Sequence, residues 1–293
     1  MMERNNAKPR APQTRDITGG VTRGLTRGLT RGLTRAATRV IKIGGRAQGD
    51  TRLPALLARA AAESRVVVVH GGGDEISAMQ RKLGLEPTFV GGRRVTSEAD
   101  LEVVRMLLSG TINKRLVAQL VSAGARAVGL SGEDGGLLTA RVSDPSFGRV
   151  GRDVACEASL LDDLLDDWLP VISPLARDRG SALGAGLNVN GDDAAAAIAA
   201  ALCADELLFL ADVEGVLEND TLITRLDRGG IDDLTARGVA KDGMRAKLEA
   251  ALAALGAGVR AVRIGSLDSI TDVARGTSIA VSATATAATE DHS

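Results

Sequence analysis

Val66-Val67-Val68-Val69-His70-Gly71-Gly72-Gly73 is the stretch whose reading decides the fold. Four β-branched residues in a row lack the alternation of a half-exposed strand, so they fit a strand buried on both faces of a parallel sheet. Three glycines then remove every Cβ at the strand end, and backbone N–H groups there can approach an anion closely. Asp74-Glu75-Ile76-Ser77-Ala78-Met79-Gln80 continues with helical spacing. That places the glycines at a helix N-terminus, where the macrodipole favours negative charge. A tight turn that needs glycine only for packing fits these eight residues equally well, so the rest of the chain must decide.

Outward from this segment the patterns alternate. Strands are expected over 40–43, 66–69, 127–130, 169–172, 207–210 and 261–264. Helices are expected over 53–63, 76–83, 98–123 (one long helix or a pair), 160–167, 194–204 and 244–255. The alternation predicts an α/β fold, a three-layer αβα sandwich around a mainly parallel open sheet. Segment 174–186, which carries Pro174 and three glycines, is the expected hinge between an N-terminal lobe over 40–180 and a C-terminal lobe over 181–281.

Residues 1–39 differ in composition from the rest. They hold nine Arg and Lys against Glu3 and Asp16, and over 21–36 they repeat a Leu-Thr-Arg-Gly unit four times, with Val21 opening the first copy and Ala36 in place of glycine in the last. Each interior glycine costs ~1 kcal/mol in a helix relative to alanine, so this segment is expected to be a disordered basic tail, or the product of a start placed too far upstream. Residues 282–293, rich in Ala and Thr, are a second expected tail.

The 293 residues carry a formal net charge of −1, with three Phe, one Trp and no Tyr. The core must be built from Ala, Val, Leu and Ile, and this composition argues against a nucleic-acid partner. Cys156 and Cys203 form no C-x-x-C pair, and with only His70 and His292 besides, no metal centre is predicted. No run is long and apolar enough for a membrane span and no signal sequence opens the chain, so a cytoplasmic protein is expected.

Three more segments share the features of a strand-end site, and a fourth opens a helix. Ile41-Lys42-Ile43-Gly44-Gly45 sets a lysine inside an apolar strand, where burial is costly without an anion. In Asn188-Val189-Asn190-Gly191-Asp192-Asp193 the two asparagines share a face if the segment is extended, and two acids exceed what one helix cap needs. Leu210-Ala211-Asp212-Val213-Glu214-Gly215 ends another strand in acid and glycine. Lys241-Asp242-Gly243-Met244-Arg245-Ala246-Lys247 opens a helix with a second candidate lysine. Two lysines, glycine-rich turns and a central aspartate suit phosphoryl transfer, which depends on positioning and positive charge more than on a strong base. The G-x-x-x-x-G-K-[ST] loop, the G-x-S-x-G elbow and a G-x-G-x-x-G after a strand are all lacking, which argues against P-loop enzymes, α/β-hydrolases and dinucleotide dehydrogenases.

Together these segments resemble the amino acid kinase family over residues 40–281. They stand in family order: 41–45, 70–73, Gly92-Arg93-Arg94-Val95-Thr96, Asn113-Lys114, Val128-Gly129-Leu130-Ser131-Gly132, 170–174, 188–195, 212–216, and Gly243-Met244 with Lys247. The resemblance implies ATP-dependent phosphorylation of the side-chain carboxylate of N-acetyl-L-glutamate to N-acetyl-L-glutamyl 5-phosphate in arginine biosynthesis, by a homodimer. It implies that Lys42 and Lys247 stabilise the moving phosphoryl group and that Asp192 orients them. Gly72 and Gly73 would bind substrate, Arg94 its α-carboxylate and Asn188 its acetamido group. Gly44, Gly45, residues Asp212, Val213, Glu214, Gly215, Val216 and Leu217, and Val239, Ala240 and Lys241 would hold ATP, with Mg²⁺ held mainly by the phosphates. His70 becomes a structural strand-end residue. Gly191 stands where the family more often has alanine, and choosing Arg94 over Arg93 rests on register with Val95-Thr96. Two alternatives stay open: a kinase of aminoadipate or glutamate linked to a carrier protein in lysine biosynthesis, and a non-catalytic ligand-sensing module on the same fold.

Overall fold

The computed structural model describes residues 36–90 and 93–280. The expected tails lie outside these residues, apart from 36–39, of which Thr38 and Arg39 open the first strand. In chain order the regular elements begin with β1 (Thr38–Ile43), α1 (Leu53–Glu63), β2 (Arg65–His70), α2 (Gly73–Lys82), β3 (Phe89–Val90) and β4 (Arg93–Arg94). Next come α3 (Glu98–Arg105), α4 (Asn113–Ser122), β5 (Ala127–Ser131), β6 (Leu138–Val142), β7 (Gly151–Cys156) and α5 (Ser159–Leu164). β8 (Leu169–Ser173), β9 (Leu175–Asp178), β10 (Gly186–Asn188), α6 (Gly191–Ala201), β11 (Glu206–Leu210), β12 (Leu217–Glu218) and β13 (Thr221–Leu222) follow. The chain closes with β14 (Arg225–Leu226), α7 (Arg228–Ala236), α8 (Asp242–Gly256), β15 (Val262–Gly265) and β16 (Thr277–Ile279).

The main sheet has eight strands in the order β14-β16-β15-β11-β1-β2-β8-β5. Every neighbouring pair runs parallel except β15 with β16. Strands from both sides of residue 180 therefore share one sheet. Helices cover both faces, as the valine run requires. Val66 and Val68 enter one core with Leu53 and Leu57 of α1 and Leu116 and Leu120 of α4. Val67 and Val69 enter the other with Ala195 and Ile198 of α6 and Leu248 of α8. Each fully buried valine contributes roughly 1.5–3 kcal/mol by leaving water. Phe209 is the one aromatic among the largest fully buried side chains, so the aliphatic core expected from composition is realised.

Three features depart from the strand–helix alternation. Segment 98–122 is one helical run, but α3 and α4 are joined by a π-helical stretch, Met106–Ile112, that contains Gly110. Such a turn rotates the side chains that follow it, and here Leu107, Leu108 and Ile112 are all buried. A second sheet, in the order β10-β9-β6-β7, has no counterpart in the expected elements. Its sequences, such as Gly-Arg-Asp-Val-Ala-Cys in β7, carry charge and glycine in place of a long apolar run. The segment expected as a hinge is the β9–β10 hairpin of this sheet. Among the described residues no helix is long and apolar enough to cross a membrane.

Candidate active site

Because β11, β1 and β2 are parallel, their C-terminal ends meet at one edge. Gly44-Gly45, Gly71-Gly72-Gly73 and Ala211-Asp212 converge there. Within β1, Ile41 and Ile43 face α1, while Val40 faces the opposite core, so the period-two pleat sends Lys42 towards α6. Asp192 stands in the first turn of that helix. The helix cap is Asn190, whose side chain accepts from the Asp192 N–H at 2.7 Å. Neither aspartate is consumed by capping.

Lys42 Nζ lies 2.7 Å from Asp192 Oδ1, and Lys247 Nζ, reaching in from α8, lies 3.3 Å from Oδ2. Lys42 meets Oδ1 as an ion pair outside good hydrogen-bond alignment, whereas Lys247 donates a hydrogen bond to Oδ2. Burial pushes the Asp192 carboxyl up, but the two ammoniums outweigh it and hold the group below the ordinary carboxylate range. Burial draws the Lys42 ammonium down, assisted by Lys247 and opposed by Asp192. Asp193, one residue on, is pushed up by burial against the pull of Arg93, 3.8 Å away.

Two cavities flank this triad. One, of about 260 Å³, is lined by Lys42, Gly71, Gly72, Gly73, Arg93, Arg94, Asn188, Asn190 and Asp192. The other, of about 220 Å³, is lined by Gly44, Gly45, Leu210, Asp212, Val213, Met244 and Lys247. A Cβ on Gly44 would lie 3.3 Å from Lys42 Nζ and 3.8 Å from Lys247 Nζ, so the space before both ammoniums exists because residue 44 is glycine. Gly45 has a φ of +49° and faces the Asp212 carboxylate, with 3.0 Å from its own missing Cβ to Oδ2. A larger surface concavity, about 840 Å³, lies between α1 and α4 and contains none of the expected site residues.

Arg94 is buried, and its orientation is fixed from behind. Nη1 donates to Gln80 Oε1, and Nη2 donates to Gly73 O at 2.9 Å and Ser77 Oγ at 2.7 Å. The guanidinium stacks 4.6 Å from the Phe89 ring centroid. Gln80 is anchored in turn, its Nε2 donating to Asp100 Oδ1 at 2.5 Å. Among the described residues Arg94 has no ion-pair partner. Burial pulls its pKa below the ordinary arginine value, with Asp100 pulling the other way. A planar cation held this way suits a carboxylate that arrives from the cavity. Asn188 reaches the same cavity, its Nδ2 donating to Thr96 Oγ1 at 3.1 Å.

Not every expected residue joins these cavities. Asp212 and Val213 do, but Glu214, Gly215, Val216 and Leu217 lead away along the chain. Val216 is buried, with its N–H donating to Thr277 Oγ1 at 2.8 Å, and a Cβ on Gly215 would meet Thr277 Oγ1 at 2.6 Å. Val239, Ala240 and Lys241 precede α8, and Ala240 is buried. The sequence pattern alone does not mark Gln80, Ser77 or Asn190 for these roles. The available signal was their spacing: Ser77 and Gln80, three apart, share one face of α2 with Gly73.

His70 is fully buried. Asn113 Nδ2 lies 3.2 Å from His70 Nε2 and donates to Val171 O at 2.9 Å, so Nε2 accepts and the ring proton sits on Nδ1, which donates to Gly71 O at 2.9 Å. Burial lowers the ring to about 4. It is a neutral residue, as expected of a structural histidine.

This fold, with paired lysines on a buried aspartate at the sheet edge, defines a phosphotransferase class, and the chain belongs to the amino acid kinase family, whose profile matches residues 37–266. Within that class it is similar to the protein named acetylglutamate kinase of Roseiflexus castenholzii, 46% identical over 235 residues, which cover 78% of this chain and 89% of that one. A solved protein of Streptococcus mutans superposes with a TM-score of 0.74 at 29% identity, over 83% of this chain and 98% of that one. An N-acetylglutamate synthase of Neisseria gonorrhoeae, complexed with coenzyme A and N-acetyl-glutamate, gives 0.70 at 26% identity, over 90% of this chain and 64% of that one.

Proposed function

We propose that this chain transfers a phosphoryl group from ATP to the side-chain carboxylate of N-acetyl-L-glutamate, giving N-acetyl-L-glutamyl 5-phosphate for arginine biosynthesis. The observation that carries the reading is the buried Lys42–Asp192–Lys247 triad between two cavities, one of which also exposes Arg94. The name of the curated relatives supports it, and the presence of all three triad residues disfavours the non-catalytic alternative. The carrier-linked alternative is not favoured by those names either.

The acceptor occupies the Arg94 cavity, with Arg94 on its α-carboxylate, Asn188 on its acetamido group, and its side-chain carboxylate directed at Lys42. That carboxylate is already ionised at neutral pH, so no general base is needed, in keeping with a neutral His70. Bound ATP, with Mg²⁺ held mainly by its own phosphates, supplies the phosphoryl group. The Gly44 edge fits such a polyanion, because a side chain there would fill the space before both ammoniums. The carboxylate oxygen forms the new P–O bond as the bond to the bridging β-phosphate oxygen breaks and ADP leaves. Lys42 and Lys247 offset the charge on the equatorial oxygens, and Asp192 keeps two mutually repelling ammoniums aimed at one point. In this reading residues 40–180 bind the acceptor and residues 181–281 hold most of the nucleotide, in a cytoplasmic homodimer without nucleic-acid or membrane partners.

Incubation with ATP, Mg²⁺ and N-acetylglutamate in hydroxylamine traps the acyl phosphate as a hydroxamate, with release of inorganic phosphate, and added iron(III) makes the hydroxamate visible as a coloured complex. Hydroxamate should form with N-acetylglutamate and be lost in Lys247→Met while ATP still binds. Its absence with the unsubstituted protein overturns the reading.

A further inference from the structure

Three sequence segments have so far no part in the chemistry: the buried His70, Asn113, and Gly129. The structure connects them. A Cβ on Gly129 would lie 1.9 Å from Asn113 Oδ1, so glycine at 129 makes the room that Asn113 occupies. Asn113 is wholly buried, and its Nδ2 is directed at His70 Nε2 and Val171 O. With Nε2 accepting, the proton is held on Nδ1, and Nδ1 donates to Gly71 O. A second donor reaches the same oxygen, Gln48 Nε2 at 3.0 Å. Gly71 O is therefore held by two side chains in fixed directions.

The consequence follows from peptide geometry. In a trans peptide the carbonyl and the following N–H point in opposite directions across one plane. Fixing Gly71 O inwards fixes Gly72 N–H outwards, towards the cavity that Gly71, Gly72 and Lys42 line. Among the described residues no acceptor meets that N–H. Ile112 and Leu108 occupy the space where a Cβ at residue 72 would be, at 2.3 and 3.0 Å, so only glycine fits at this turn of the loop. We infer that His70 and Gln48 are positioning residues for the phosphoryl-transfer step: through Gly71 O they aim the Gly72 N–H at the reacting oxygens, with Asn113 fixing the tautomer that lets His70 donate. The inference rests on the kinase reading and deepens it. It also changes the standing of His70, which neither takes up nor releases a proton in the reaction yet carries a defined task in it.

The test uses two substitutions that keep different halves of the imidazole. Asparagine places an amide nitrogen near the former Nδ1 position and can still donate to Gly71 O, whereas glutamine reaches the Nε2 position and cannot. Both are measured in the full chain for kcat, for KM of N-acetylglutamate and of ATP, and for Tm. His70→Gln is expected to lower kcat at least about tenfold, below the ~10²–10³-fold cost of deleting an oxyanion donor outright. His70→Asn is expected to recover most of that loss at a similar Tm. Equal kcat in the two variants, or losses that simply follow Tm, overturn the inference. Should both variants fail to fold, half-exposed Gln48 serves instead: Gln48→Met should lower kcat several-fold at unchanged Tm, and an unchanged kcat overturns the inference. Hydroxamate formation by the unsubstituted protein separates the two readings, because its absence counts against the kinase assignment and not against the role of His70.

Discussion

Lys42 Nζ and Asp192 Oδ1 stand 2.7 Å apart with side-chain exposures of only 9% and 6%, and a second ammonium, Lys247, shares the same carboxylate. Two cations on one buried anion leave a net positive site that an arriving anion can neutralise. Asp192→Asn removes the common partner and leaves two ammoniums facing each other. Breaking a buried pair from one side costs about 3–5 kcal/mol, so a loss of that order is expected in urea unfolding. The sign of the pH effect follows from Lys42. Burial already lowers its pKa against the pull of Asp192, so without that pull the ammonium deprotonates at lower pH. The residual kcat of Asp192→Asn should therefore fall on the alkaline side at lower pH than that of the parent. A pH–rate profile superimposable on the parent's contradicts this account.

Gln80 should set how tightly the acceptor is held. Its Oε1 accepts from Arg94 Nη1 and its Nε2 donates to Asp100, which also closes the cap of α3 through Ser97. Gln80→Leu is close in volume but removes one of the three hydrogen bonds that orient Arg94, and it leaves a buried donor unsatisfied at about 1–3 kcal/mol. The expected result is a KM for N-acetylglutamate raised about tenfold, equivalent to ~1.4 kcal/mol, with a much smaller change in kcat and in the KM for ATP. A fall in kcat with KM unchanged contradicts it.

Much of this was legible in the sequence, and the gaps have physical causes. Val66–Val69 announced a strand covered on both faces because a run of four β-branched residues fits little else, and both cores meet it. Lys42 stood out because a lysine between two isoleucines is costly to bury without an anion. Asp192 was legible as one acid too many for a cap, although the cap proved to be Asn190. The second sheet was not legible, since strands such as Leu-Ala-Arg-Asp carry no long apolar run. Gln80 is illegible for another reason, as is the task of Asn113, which the resemblance marks only as part of a segment: a buried polar side chain is recognised by its partners, and Arg94 and Val171 lie 14 and 58 residues away in sequence.

Gly72 and Ile112 should show a strong coupling. A Cβ at 72 would sit 2.3 Å from Ile112 Cδ1, a methyl group that is itself buried. Gly72→Ala therefore overpacks the site, at about 1–3 kcal/mol, and shifts the glycine loop. Ile112→Val removes the offending methyl at about 0.5–1.5 kcal/mol on its own. The double variant should be more stable than the sum of the two losses by at least ~0.5 kcal/mol, beyond the error of additivity, and should regain part of kcat. Additive losses would place the cost of Gly72→Ala elsewhere.

His70 gives the protein a pH-dependent stability whose direction can be stated. Burial lowers the folded-state value to about 4 from 6.5, with Arg115 and Lys114 lowering it further and the Gly71 hydrogen bond and Glu75 opposing. Between those two values the unfolded chain binds a proton that the folded protein does not, so unfolding becomes easier as pH falls. The contribution is fully present above about pH 6.5 and is lost progressively as the pH approaches 4. A shift from 6.5 to about 4 corresponds to ~3 kcal/mol at the acid end. Asp192 works in a lower window, because its carboxyl is held below the ordinary range and titrates only under more acid conditions. Urea midpoints measured between pH 4.5 and 7 should therefore fall with acidity in the parent. In His70→Asn, which has no ring to protonate, that slope should flatten, and an equal slope in both proteins would assign the effect to other groups.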